Sequence, residues 1–456
     1  MTQNDANTTE SNGNRISRRH AIGTGGAVLT TALAGCSGLT GGGGSDSDNS
    51  GKSGDVNVDY WMYFGAQEKK EMTELVNEFN KKDNGIHINA QSVPFGSFLN
   101  KLFTAVNSGN APHIASYYAS YGRHLKPITD PIDDYLSSKS KSAYFDIARE
   151  NTKIDGNTYA LPIDVHGKGL YTNDKVLEKA GVDPDFSDWD SFSNAANTIK
   201  KKTDARPFSF INWKAGQAAY RAYIIALTQA GGNVLTGEPG DYKVAFDNEK
   251  GMQTAQLMND ITGKLGWDSQ KFQSESARVE DFVSGKLGMF IAGTWSINNF
   301  ENENGEIPSD LSFTFKKPFM FPGEGDNVAW AESNSLYFPT NSNHTEEEKK
   351  AAVEFAEFAT QNNTLWASAG GHLPAAKSVA TSKEVKNTKL WTEFDTISTM
   401  YEMVKDKQVR YQPRTGIHIN SDKFWGPFID MYLHNTSVKK GVKNSATSLQ
   451  QALDRQ

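Results

Sequence analysis

Flat aromatic rings recur where this chain is expected to leave its strands. Tyr117, Tyr118 and Tyr121 cluster after one short apolar run, and Trp295 ends the run Gly285-Lys-Leu-Gly-Met-Phe-Ile-Ala-Gly-Thr-Trp295. Trp213 follows Phe208–Ile211, and Trp425 stands in Phe424-Trp425-Gly426. The candidate polar partners are Gln67, Asp164, His166, Asn212, Asn334 and Arg414, which hydrogen-bond through planar groups. Aromatic faces accept C–H patches and planar polar groups accept hydroxyls, so the set suits a ligand that presents both, as a sugar does. Asp164 and Asn334 read equally as hinge or turn residues. Arg410 and Arg414 read either as surface charges or as a clamp for an acidic sugar, because a guanidinium grips a carboxylate with two parallel hydrogen bonds.

Reaction chemistry is less well supported. The chain has no Gly-x-Ser-x-Gly elbow, no His-Glu-x-x-His and no phosphate loop. Carboxylates are abundant, but no two stand out as a glycosidase pair. A single cysteine, Cys36, rules out an intramolecular disulfide and a multi-cysteine metal site. No metal or cofactor is expected. With 47 basic and 54 acidic residues, net −7, and no basic run, a nucleic-acid partner is not expected either.

The elements that must position these residues lie behind an export leader. Residues 1–35 combine Arg18-Arg19 with a short, weakly apolar run from Gly23 to Ala34, too short for a permanent membrane span. The pair of arginines is similar to a twin-arginine signal, which exports folded chains. Leu33-Ala34-Gly35-Cys36 resembles a prokaryotic lipobox, which implies cleavage before Cys36 and a lipid on it. Residues 36–54 are Gly, Ser, Asp and Asn, a flexible tether. The expected place is extracytoplasmic, at the cell surface and anchored by that lipid.

From Val56 the pattern alternates strand and helix: strands at Val56–Tyr63, Ile86–Val93 and His113–Tyr117, with helices at Lys69–Lys81 and Phe98–Asn107 between them. That order predicts an α/β sheet with ligands beyond the carboxyl ends of its strands, where Trp61, Tyr63, Phe64 and the three tyrosines stand. Asp164 and His166 lie in an extended run that crosses from one lobe to another, since 456 residues exceed one ordinary core. Further helices are expected at Trp189–Lys201, Ala215–Ala230, Glu249–Leu265 and Glu346–Gln361, with a last one at Ser445–Leu453. Ala329–Pro339 reads as a single strand. Gly285 is placed to end the helix before it, and Leu287–Ile291 reads as a buried strand that delivers Trp295.

In this order the landmarks resemble family 1 of the extracellular solute-binding proteins, the sugar-binding subunits of ABC importers, typified by maltose-binding protein. The matching residues are Val58-Asp-Tyr-Trp, Ser108-Gly-Asn-Ala-Pro-His113, Tyr159-Ala-Leu-Pro162 to Tyr171-Thr-Asn-Asp174, Phe246-Asp-Asn, Gly285-Lys-Leu-Gly-Met289 to Gly293-Thr-Trp295, Ser333-Asn-Ser-Leu-Tyr-Phe-Pro339 and Gly371-His-Leu-Pro374. His113 departs from the family, which usually has Asp there. The resemblance implies an α/β, two-lobed periplasmic-binding-protein-like fold with mixed sheets, several crossing segments and a cleft. Lobe 1 would comprise 55–165 and 327–376, and lobe 2 166–326 and 377–456, with crossings near Val165–Gly169, Pro322–Ala329 and after Pro374. Trp295 and Trp425 match aromatic positions that line the cleft in the family, and Trp213 matches less closely. The implied partners are a carbohydrate and the permease subunits of an ABC importer, with the chain itself a monomer. Two other readings are a surface enzyme acting on the same sugars and a receptor for a solute such as a glycerol phosphate ester.

Overall fold

The computed structural model describes residues 55–455, apart from 187, 211–215, 270–273, 302–305, 319–320, 324 and 369. The leader, Cys36, the tether, Asn212 and Trp213 lie outside the described residues. The strands that build the two main sheets are β1 Val56–Met62, β2 Ile86–Ser92, β3 Ile114–Tyr118, β4 Ala160–Pro162, β5 Asp164–Asn173, β6 Arg206–Ser209, β7 Leu287–Gly293, β8 Phe313–Lys316, β9 Ala329–Glu332, β10 Asn334–Tyr337, β11 Leu373–Pro374 and β12 Val409–Arg410. The helices that matter to the site are α1 Ala66–Asn80, α2 Phe95–Asn107, α3 Gly216–Gln229, α4 Glu275–Val283, α5 Glu346–Gln361, α6 Asp422–Tyr432 and α7 Val438–Leu453.

Two mixed sheets define two α/β lobes. The first has the order β2-β1-β3-β10-β4, parallel among its first three strands and antiparallel at β10. The second has the order β12-β9-β5-β7-β6, with β8 and β11 also pairing β5. β5 is the axis of this sheet: all ten residues are buried, and it runs antiparallel to β7, β8, β9 and β11. Its alternation divides two cores, with Val165 and Tyr171 facing one and Leu170 the other. Such double-sided burial requires a nearly continuous apolar or hydrogen-bonded strand, and each large apolar side chain it covers contributes about 1.5–3 kcal/mol.

Local sequence explains the pieces that carry the site. α1 starts at Ala66, earlier than the expected Lys69, so Gln67 and Glu68 fall in its first turn. α5 opens on a capping box in which Thr345 Oγ1 accepts from Glu348 N and Glu348 Oε2 accepts from Thr345 N. α4 is capped by Ser274 and stops where Gly285 adopts φ +74, as its sequence position predicts. β7 then runs fully buried to Gly293, where a Cβ would stand 2.3 Å from the Trp295 ring. Only glycine lets that indole lie back on the strand end.

Two further expectations change. Ala329–Pro339 is two strands: β9 pairs with β5 in the second sheet and β10 with β3 and β4 in the first, so the chain changes sheet at Ser333. It makes the opposite change at Ile163, between β4 and β5. The last helix begins at Val438, because Ser437 caps it by accepting from Lys440 N. His113, where the family usually has Asp, still supplies a local hydrogen bond: its Nδ1 accepts from Asp59 N at 2.9 Å.

Candidate ligand-binding site

The two sheet changes bring one buried carboxylate to the middle of a cleft. Asp164 is 0% exposed and opens β5. It accepts from Asn334 N and Nδ2 at 3.0 and 2.6 Å, from Trp366 Nε1 at 2.6 Å, and from Nδ1 of His166 and His372 at 2.9 and 3.0 Å. A buried carboxylate survives only when so compensated. Burial opposes its charge, but the two imidazoles and their hydrogen bonds outweigh burial and hold Asp164 well below the usual carboxylate range. Burial drives His166 down to about 4, against the pull of Asp164. On His372 burial is overcome by the same carboxylate and the balance is upward. Asp164 is thus held as a carboxylate, and the proton-poor imidazole beside it is His166 rather than His372.

Asp164, His166 and His372 offer ligand atoms within 4.8 Å of one another. A metal ion fits them poorly. Five donors already fill the carboxylate and each Nδ1 is engaged, which leaves two Nε2 atoms where a closed site needs about four ligands. The three residues are a hydrogen-bonding hub that orients His166, His372 and Asn334.

Around this hub lies an open space of about 740 Å³, lined by Tyr63, Phe64, Glu68, Phe95, Tyr118, His166, Arg221, Trp295, Asn334 and His372. A second space of about 960 Å³ adjoins it, lined by Gln67, Glu68, Trp295, Asn298, Asn299, Glu301 and Ser368. Trp295 and Glu68 belong to both. The half-buried indole stands nearly perpendicular to His166 (5.4 Å, 84°) and His372 (6.1 Å, 90°). Across the cleft Tyr63 packs on Tyr118 and Phe95 and donates to Asn334 Oδ1. Phe95 is 43% exposed, an uncommon position for a large apolar ring.

The structure gathers Trp295, Tyr118, His166 and Asn334 at the first space and Gln67 at the second. Asp164 stands behind them without reaching the space. Four expected residues are elsewhere. Trp425 is 0% exposed, stacked on Phe246 at 5.4 Å and donating Nε1 to Ile419 O, so it is a core residue with no face to offer. Tyr117 and Tyr121 are buried behind Tyr118, Tyr117 packing on Phe98 and Tyr121 donating to Asn420 Oδ1. Arg414 donates Nη1 to the carbonyls of Glu150, Asn151 and Lys153. It satisfies acceptors orphaned at the end of the helix Asp146–Asn151, a role suited to a cation at a helix C-terminus.

Arg221, Glu68, Phe95 and His372 line the cleft without having been singled out. Arg221 left one signal: it is the only charge in the apolar stretch Ala218–Leu227 of α3. A lone cation there either snorkels to water or faces something built for it.

Residues 65–363, well over half of the chain, match the family described as bacterial extracellular solute-binding protein. The chain is 25% identical over 443 residues to the arabinooligosaccharide-binding protein of Bacillus subtilis (strain 168), covering 94% of this chain and 95% of that one. It is 25% identical over 320 residues to a diacetylchitobiose binding protein of Streptomyces coelicolor, covering 66% and 68% of the two chains. Among solved structures, the cyclic alpha-maltosyl-1,6-maltose binding protein of Arthrobacter globiformis shares the fold with a TM-score of 0.74 at 20% identity, covering 88% of this chain and all of that one. No helix among the described residues is long and apolar enough to cross a membrane.

Proposed function

Because this chain belongs to the bacterial extracellular solute-binding protein family, we propose that it captures a carbohydrate, specifically an oligosaccharide, and delivers it to the membrane subunits of an ABC importer. The observation that carries this reading is Trp295 standing in the shared wall of two adjoining spaces. One indole there can stack on one sugar ring while neighbouring rings occupy the space on either side. Polar groups suited to hydroxyls, Asn334, His166, Gln67 and Glu68, line the same walls. The relatives named for arabinooligosaccharide and diacetylchitobiose binding support the same ligand class.

Capture works by closure of the two lobes over the sugar, with no bond made or broken. The protein acts as a monomer tethered outside the cell by a lipid on Cys36, after removal of residues 1–35. Loss of membrane association in Cys36→Ala would test the anchor. The function itself is tested by adding neutral and acidic oligosaccharides to the full chain while following Trp fluorescence and product release together. Saturable fluorescence change without product is the expected result. Product formation would overturn the receptor in favour of a surface enzyme.

A further inference from the structure

Arg221 brings a positive charge to the second-sheet side of the cleft. The Arg221 guanidinium lies 4.0 Å over the Trp330 ring and 6.0 Å from that of Trp295. Stacking engages only the face of a guanidinium; its donors lie in the plane, where one meets the Tyr118 hydroxyl and the others can serve a ligand. Among the described residues Arg221 has no ion pair, and its Nε is buried without an acceptor. Its acidic neighbour Glu332 is already occupied, accepting from Ser120 N and Oγ and from Ser333 N. Burial pushes Glu332 up to about 7, against the hydrogen bonds from Ser120 and Ser333 and the pull of Arg221.

Behind Trp295 lie two further basic residues, Lys168 and Arg278. Lys168 pairs with Gly293 across β5 and β7, is 4% exposed and makes no ion pair among the described residues. The charged groups facing it are Arg278 and Glu275 from α4 and Arg221 from α3, two cations to one carboxylate. Arg278 is fully buried, holds Glu275 at 3.3 Å and Ile291 O at 3.2 Å through Nη2, and leaves Nε and Nη1 without acceptors. Arg278 is also faced by Asp268 and Arg206, burial lowers Lys168 to about 7, and of these three basic residues Arg221 is the one that lines the cleft. A cation at the cleft wall, with one buried donor left without an acceptor and no ion pair among the described residues, suits an anion.

We propose that Arg221 forms an anion subsite in the cleft and that the captured saccharide bears a carboxylate, as a uronic acid residue does. The inference rests on the carbohydrate reading above. The sugar's C–H face lies on Trp295 while its carboxylate takes the in-plane edge of Arg221 with two parallel hydrogen bonds. Lys168 and Arg278, buried behind, act on that carboxylate through their field. Glu68, across the same space, accepts from hydroxyls.

Calorimetry on the full chain decides the matter with matched pairs: galacturonate and galactose disaccharides, mannuronate and mannose disaccharides, xylo-oligosaccharides with and without a glucuronate branch, and glycerol phosphate as a non-saccharide anion. An acidic saccharide should bind about tenfold or more tightly than its neutral match, and the preference should shrink with added salt. Arg221→Gln should lower the acidic-to-neutral affinity ratio by about tenfold or more, and Arg221→Lys should restore part of it. Equal or tighter binding of the neutral member overturns this inference and leaves the carbohydrate reading standing. A loss in Arg221→Gln that is the same for both members also overturns it. Binding of glycerol phosphate with no saccharide bound overturns both readings, as does binding of nothing. Should Arg221→Gln fail to fold, the wild-type pairs still decide.

Discussion

The two walls of the cleft are built on different principles. The first-sheet wall, Tyr63, Phe95 and Tyr118, is a raft of rings: Tyr117 and Phe98 hold it from behind, and Glu68 at its edge is its one charge. The second-sheet wall sets one half-buried indole, Trp295, beside the Arg221 guanidinium, with Lys168 and Arg278 buried behind. Packed rings fix a shape, and unbalanced charge selects a partner by sign. Placing them on opposite lobes means that neither is complete alone, so affinity depends on closure bringing both to one ligand. Between them Asp164 and its five donors serve neither shape nor charge selection directly; they hold the two walls in register.

That division can be broken in graded steps. The largest effect is expected from Asp164→Ala, which strands His166, His372 and Trp366 and should cost about 3–5 kcal/mol of stability in urea titration. A loss under about 1 kcal/mol would remove the hub from the account. Trp295→Ala should lower saccharide affinity by about thirtyfold or more while leaving the thermal transition nearly unchanged, because the ring is half-buried and replaces no core. Normal binding would mean the cleft is misassigned. Phe95→Ala should cost about 0.5–1.5 kcal/mol of binding, read as a modest rise in Kd. If it costs as much as Trp295→Ala, the walls do not divide the work as described.

The charged wall makes a prediction in pH. Burial, with Arg278 adding to it, lowers Lys168 from 10.5 to about 7, against the pull of Glu275. Between those values the unfolded chain holds the extra proton, so this group makes stability rise with pH from about 7 toward 10. Lys168→Met should therefore raise the Tm at pH 6, and the gain should shrink as pH climbs. A gain independent of pH would show that the lysine is not a buried charge. The smallest effect on binding belongs to Arg414→Ala, which should leave Kd unchanged and lower stability by about 1–2 kcal/mol through the helix carbonyls it abandons.

Local pattern made some of this visible in the sequence. Gly285 announced a helix stop, and the short apolar run after it delivered Trp295 as expected. The change of sheet at Ser333 was invisible, because a one-residue step between two apolar strands leaves the alternation unbroken. Trp425 and Trp295 look alike as motif residues; only tertiary packing on Phe246, Tyr220 and Phe428 decides that the former is core. Arg414 failed for a related reason, since its partners are carbonyls some 260 residues away. Arg221 was not among the expected site residues, although a lone cation within an apolar helix is itself the anomaly.

The hub at Asp164 also bears on how the chain reaches this state. Its partners Asn334, Trp366 and His372 lie 170, 202 and 208 residues further along the sequence. Closing loops of that length is slow and brings no return until both sheets are largely formed, so these bonds belong to the last stage of folding. Loss of Asp164 should then hasten unfolding while leaving the refolding rate almost untouched.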